Sequence, residues 1–109
     1  MLAAGQDIPR AAVLVQRSCD AGISAGCAGL AKALEGGRGV ARNLARAAEL
    51  YTKACADEQA ESCLSLALMY AQGRGVEQNT DQSQALLRRA CERGSELACR
   101  EARKLDETR

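Results

Sequence analysis

The six cysteines of this chain share one register. They form three pairs, Cys19/Cys27, Cys55/Cys63 and Cys91/Cys99, with partners eight positions apart and successive pairs 36 positions apart. Residues eight apart on a continuous helix lie about 12 Å apart along its axis. A disulfide needs Cα atoms within about 7 Å. A bonded pair therefore requires a turn between its members, one cysteine in the last turn of a helix and the other in the first turn of the next. The shared register favours the pairing Cys19–Cys27, Cys55–Cys63 and Cys91–Cys99 over the many other connectivities open to six cysteines. Three other readings compete with it. Structural zinc prefers shorter spacers, commonly with His, and the chain has no His. A redox-active pair reads C-x-x-C, a spacing absent here. Free buried thiols in a reducing compartment are the third. The bonded reading places the chain in an oxidising compartment, periplasmic or secreted.

The period extends beyond cysteine. Setting residues 19–54 against 55–90 pairs Leu30 with Leu66, Ala31 with Ala67, Gly37 with Gly73, Arg38 with Arg74, Gly39 with Gly75, Val40 with Val76, Asn43 with Asn79, Leu50 with Leu86 and Ala54 with Ala90. A fixed period in the thirties with glycine punctuation marks a helical solenoid. With no Trp, no Phe and two Tyr, the core must be built from Ala, Leu, Val and Cys. That suits closely approaching helices, and strand formers are sparse. The expected fold is all-α, an α/α superhelical solenoid of about six antiparallel helices in disulfide-clamped repeats of 36 residues. A length of 109 residues fits one small domain, in which covalent staples compensate for a limited core.

The helices are expected at roughly 8–20, 24–35, 44–56, 60–72, 80–92 and 96–106. The first has Asp7 as its cap, Pro9 in its first turn, and a buried stripe of Ala11, Leu14, Val15, Ser18 and Cys19. Gly22 suits a left-handed stop. The second carries Cys27, Leu30, Ala31 and Leu34, and breaks at Gly36-Gly37-Arg38-Gly39-Val40, where Val40 tucks back between helices. Asn43 caps the third, which buries Ala47, Leu50, Tyr51, Ala54 and Cys55. The fourth is apolar nearly all round, as a helix sandwiched by neighbours is; a sharper reading makes Leu64 and Leu68 the floor of a ligand groove. Asn79 with Gln82 resembles a capping box for the fifth, with Ser83, Leu86, Leu87, Ala90 and Cys91 inside. Ser95 caps the sixth, which keeps Leu97, Ala98, Cys99, Ala102 and Leu105 on one face. Its other residues are charged, as a solenoid end requires. Residues 1–7 are expected to be a flexible segment, 8–106 the solenoid and 107–109 a tail, with room for further repeats before the first.

Charge narrows the partner classes. Fifteen basic and 14 acidic residues leave a net charge of +1, which favours neither nucleic acid nor an anionic membrane. Arg88-Arg89 reads as a solvated helix face and Asp57-Glu58 as a solvated turn. No apolar run approaches a membrane span, and Met1–Gly5 is too short for an export signal.

The pattern Leu66-Ala67…Tyr70…Gly73-x-Gly75-Val76…Asn79…Leu86-Leu87…Ala90 resembles the Sel1-like repeat, a relative of the tetratricopeptide repeat. The C-x7-C at each helix junction is similar to the cysteine-rich subgroup typified by the Helicobacter cysteine-rich proteins. Asn43 and Asn79 replace the usual acidic residue, Leu50 and Leu86 the frequent aromatic. Glu58 replaces the glycine of positions 22 and 94, so that turn is expected to be tighter or differently shaped. The resemblance implies a right-handed superhelix whose concave side binds protein or peptide; the expectation for this chain is a non-enzymatic monomer without cofactor or metal. By repeat register the binding positions are Lys32 and Gly36, then Leu64, Ser65, Leu68 and Gln72, then Arg100, Glu101 and Lys104. An alternative is an immunity or inhibitor protein against a bacterial toxin. A penicillin-binding or β-lactamase-like activity, as attributed to cysteine-rich relatives, fits poorly: no Ser is followed three residues later by Lys, as S-x-x-K chemistry requires.

Overall fold

The computed structural model describes the backbone of residues 4–108 and the side chains of residues 10–105 and 107. Six helices follow one another: α1 (Ala4–Asp20), α2 (Ser24–Gly36), α3 (Leu44–Ala56), α4 (Ala60–Gln72), α5 (Thr80–Glu92) and α6 (Glu96–Thr108). Among the described residues there is no strand. Each helix packs chiefly on the helices before and after it in the chain. The result is an elongated stack, 51 × 24 × 23 Å, with a radius of gyration of 14.7 Å. A globule of this length would have about 13 Å.

α1 begins four residues ahead of the expected start, at Ala4. Asp7 therefore lies within it, and Pro9 beyond the first turn. The Asp7 side chain lies outside the described residues, as do residues 1–3 and 109 of the expected terminal segments. Gly36 closes α2, and the break falls one residue later, at Gly37.

All three expected bridges form. Cα atoms stand 4.3 Å apart in Cys19–Cys27 and 4.6 Å in both Cys55–Cys63 and Cys91–Cys99. Each joins the last turn of one helix to the first turn of the next. Such close approach demands small neighbours: Ala47, Ala54, Ala67, Ala90 and Ala98 are fully buried. Tyr51, Leu30, Met69 and Leu87 are the largest fully buried side chains of the same core. Burial at about 25 cal/mol per Å² of apolar area makes these contacts the main non-covalent term. Val40 and Val76 are half-buried against this core, as the loop pattern implied.

The stripe on α1 differs from expectation. Ala12 is buried and Val15 half-buried, but Ala11 is exposed and Leu14 is 65% exposed. Their counterparts Ala47 and Leu50 are buried because α3 has α2 in front of it. No described helix stands in front of α1. Leu97 is likewise 49% exposed, while Ala98 and Ala102 carry the inner face of α6.

The helix ends follow their caps. Asn43 and Asn79 accept, through Oδ1, hydrogen bonds of 3.0 Å from the backbone N–H groups of Arg46 and Gln82. Ser95 Oγ does the same for Ala98 at 3.1 Å. The capping box at Asn79 stays half-formed, because the Asn79 N–H already donates to the Tyr70 carbonyl at 2.9 Å. That bond ties each long loop back to the preceding helix, and Asn43 to Leu34 repeats it. Gly75 permits a further approach: a Cβ there would meet the Leu44 carbonyl oxygen.

The turn at Glu58 is neither tighter nor differently shaped. Glu58 takes φ +72°, beside +86° at Gly22 and +103° at Gly94. In all three turns the next two N–H groups close on the preceding helix in the same way: Glu58 to Cys55 and Gln59 to Ala54 match Gly94 to Cys91 and Ser95 to Ala90. The bridge and the two closing bonds hold the backbone there whatever the side chain. A left-handed L-residue costs about 1–2 kcal/mol, partly offset because Gly would loosen the unfolded chain by about 0.4–1 kcal/mol.

Two outcomes follow from these turns and clamps. In urea denaturation, Glu58→Gly raises the unfolding free energy by about 0.5 kcal/mol, and Gly94→Ala lowers it by about 1 kcal/mol; no atom lies within 4 Å of the added Cβ, so the loss is one of backbone conformation alone. Replacing Cys55 and Cys63 together by Ala lowers the unfolding free energy by about 2.5 kcal/mol, the entropy of a loop this short.

Candidate functional site

Side chains that can meet a partner gather on two surfaces. The first is the solvent side of α2, α4 and α6. The expected binding positions all lie on these helices. Lys32, Gly36, Leu68, Gln72, Arg100 and Lys104 are exposed, while Leu64, Ser65 and Glu101 are half-buried. Helical spacing on α4 explains the division: Cys63, Leu66, Ala67 and Met69 turn inward, Leu64 packs partly against the same core, and Leu68 is left exposed. Leu68 is 38% exposed and Leu97 49%. Charged side chains stand on the same helices. Lys32 Nζ stands 3.8 Å from Glu61 Oε2, bridging α2 and α4, and Lys104 Nζ is 3.4 Å from Glu101 Oε1. Exposed pairs of this kind contribute little to stability.

Behind that face lies a polar staple absent from the neighbouring repeat. The Tyr51 hydroxyl donates to Glu35 Oε1 at 2.8 Å, and Arg74 Nη1 stands 3.4 Å from Glu35 Oε2. One carboxylate thus ties α2 to α3 and to the loop after α4. The counterparts of Glu35 and Tyr51 are Ala71 and Leu87, so the staple exists once. Tyr51 is 1% exposed. Burial, then the hydrogen bond and charge of Glu35, push its phenol well above the ordinary tyrosine range. Deeper still, Ser83 Oγ donates to the Ala67 carbonyl at 2.7 Å and joins α5 to α4.

The second surface is a groove of about 750 Å³ between α1 and α3. Leu30, Leu50, Ala54 and the Cys19–Cys27 bridge form its floor, and Asp20, Arg46, Glu49, Lys53 and Asp57 its walls. Asp57, read from sequence as part of a solvated turn, caps α3 here and accepts a hydrogen bond from Ser24 Oγ. The sequence signal for this groove lies in the register, where Asp57 stands opposite Arg93.

The family model described as the Sel1 repeat matches residues 24–57 and 60–95. Among solved structures the chain is similar to Helicobacter pylori cysteine rich protein B, with 34% identity over 78% of this chain and 64% of that one, at a TM-score of 0.74. It is also similar to a protective antigen, c5321, present in uropathogenic Escherichia coli strains and displaying an SLR fold: 31% identity, 80% of this chain and 19% of that one, TM-score 0.75. A Sel1 repeat protein from Oxalobacter formigenes, 22% identical, shares the fold over 86% of this chain and 39% of its own, TM-score 0.82. The chain thus spans less than two thirds of each of these proteins. Among the curated proteins none matches it.

The Tyr51 staple makes stability pH-dependent in one direction. An unfolded tyrosine ionises near pH ~10, whereas folding holds Tyr51 protonated. Its contribution is therefore complete below pH ~10 and is lost as pH rises beyond it. Urea midpoints of the unaltered chain should fall more between about pH 9 and 11 than those of Tyr51→Phe. At pH 7 that variant should be less stable by about 1 kcal/mol, the value of one hydrogen bond.

Proposed function

Since the chain belongs to the Sel1 repeat family, we propose that it is a non-enzymatic module that binds a protein or extended peptide along the concave side of its solenoid, formed by α2, α4 and α6. The observation that carries this reading is the exposure of Leu68 on α4 and Leu97 on α6, with half-buried Leu64 beside Leu68, on helices that also present Lys32, Arg100 and Lys104. Apolar side chains presented on rigid helices and rimmed by charge are a recurrent form of interaction site. Lys32, Arg100 and Lys104 at the rim suit a partner with acidic residues around an apolar anchor. Gly36, Ser65 and Gln72 leave low relief in which backbone can lie close, and Glu101 holds Lys104 in place. The core beneath is closed by the bridges and the Glu35 staple, so binding meets a preformed surface and loses little conformational entropy.

The three bridges support a place of action outside the reducing cytoplasm, in the periplasm of a bacterium or beyond the cell. Among the described residues no helix is long and apolar enough to cross a membrane.

A photo-crosslinking residue at Leu68 tests the surface, with one at exposed Ala45 on α3 as its control. In an extracytoplasmic extract the Leu68 probe should give a discrete adduct that the Ala45 probe does not. Lys32→Glu combined with Arg100→Glu should weaken that adduct at least about fivefold. Equal adducts at both positions, or no response to charge reversal, would place the interaction elsewhere. A fluorescent penicillin should leave the folded chain unlabelled, and a covalent adduct would overturn the non-enzymatic reading.

A further inference from the structure

The helix junctions at Cys19–Cys27 and Cys55–Cys63 share their bridge and backbone closure and differ in what fills the space beside them. Arg93 serves the second. Its Nη1 donates to the Cys55 carbonyl at 2.9 Å, and its Nη2 stands 3.8 Å from Glu58 Oε1. Only 24% of the Arg93 side chain is exposed. A guanidinium thus plugs the space between α3 and α5. Thirty-six residues earlier the same position is Asp57, which turns to Ser24 instead, and the space between α1 and α3 stays open at about 750 Å³.

Of the two groups Arg93 meets at its own junction the carbonyl is still present here, while the counterpart of Glu58 is Gly22. The Cys19 carbonyl, counterpart of Cys55, accepts from the Gly22 N–H at 2.9 Å. A carbonyl oxygen has two lone pairs, and at Cys55 both are used, by the Glu58 N–H and by Arg93. Carboxylates have also been added. Asp20 and Glu49 line the open groove, where their counterparts are Ala56 and Ala85. With Asp57 they set three acidic groups against Arg46 and Lys53. Acceptor and surplus negative charge therefore coincide at a junction that Arg93 does not serve.

We infer that the groove between α1 and α3 is a binding site for a guanidinium, the arginine side chain of a partner protein or peptide. The ligand's planar donors reach the Cys19 carbonyl and the carboxylates of Asp20, Glu49 and Asp57, as Arg93 reaches Cys55 and Glu58. Charge-assisted, forked donation of this kind discriminates arginine from lysine. The site is separate from the face of α2, α4 and α6, and does not depend on it.

The test is titration of the oxidised, isotope-labelled chain with Nα-acetyl-arginine methylamide, followed through its backbone amide resonances. Saturable shifts are expected to centre on Gly22 and Asp57. The citrulline analogue, equal in shape but uncharged, should bind at least about tenfold more weakly, the value of one charge-assisted hydrogen bond. In Asp57→Arg the chain's own guanidinium takes the Cys19 carbonyl, so the arginine probe should again lose at least about tenfold. Absence of saturable shifts, equal response to citrulline, or undiminished binding by a folded Asp57→Arg chain would each overturn the assignment. The citrulline comparison is made on the unaltered protein and decides the matter even if the variant does not fold.

Discussion

A covalent bond across a turn of three residues is the constraint on which the rest of this molecule depends. Each bridge pins the end of one helix to the start of the next with Cα atoms under 5 Å apart. At that separation only small side chains fit between the helices, and the core is accordingly alanine at its tightest points. A chain without Trp or Phe buries little area per residue, and short loops closed by disulfides supply stability that side-chain burial does not. The same clamp explains how Glu58 survives in a left-handed conformation that its neighbours fill with glycine. The strain is local, and the bridge beside it leaves the backbone no alternative.

Once the junctions are clamped, the solenoid grows by repetition, and its individuality lies in departures from the repeat. Glu35, Tyr51 and Arg74 form a staple at one level only. Leu68 takes the place that Lys32 and Lys104 hold on the flanking helices, so one apolar side chain stands between two cations. Asp57 takes the place of Arg93 and leaves open a space that the other junction fills. These departures leave the bounds of the repeated helices and the bridges the same. A clamped backbone permits this, because side chains can be exchanged without moving the frame.

The sequence by itself determined the architecture. Cysteine spacing required a turn within each pair, and the three turns set one end of each of the six helices. Asn43, Asn79 and Ser95 marked helix starts because their side chains satisfy N–H groups that a helix must leave unpaired. What the tertiary structure decided was everything that depends on a neighbour distant in the chain. Periodicity puts Leu14 on the same stripe as Leu50, but burial needs a helix on the far side, and among the described residues none stands in front of α1. Substitution of Glu58 for glycine suggested a different turn, yet the backbone bonds of its own junction outweighed the side chain's preference. The groove at Asp57 was invisible for the same reason. A carboxylate in a turn looks solvated from its neighbours in sequence, and its meaning comes from Ser24, from Glu49, and from the arginine that stands one repeat away in its place.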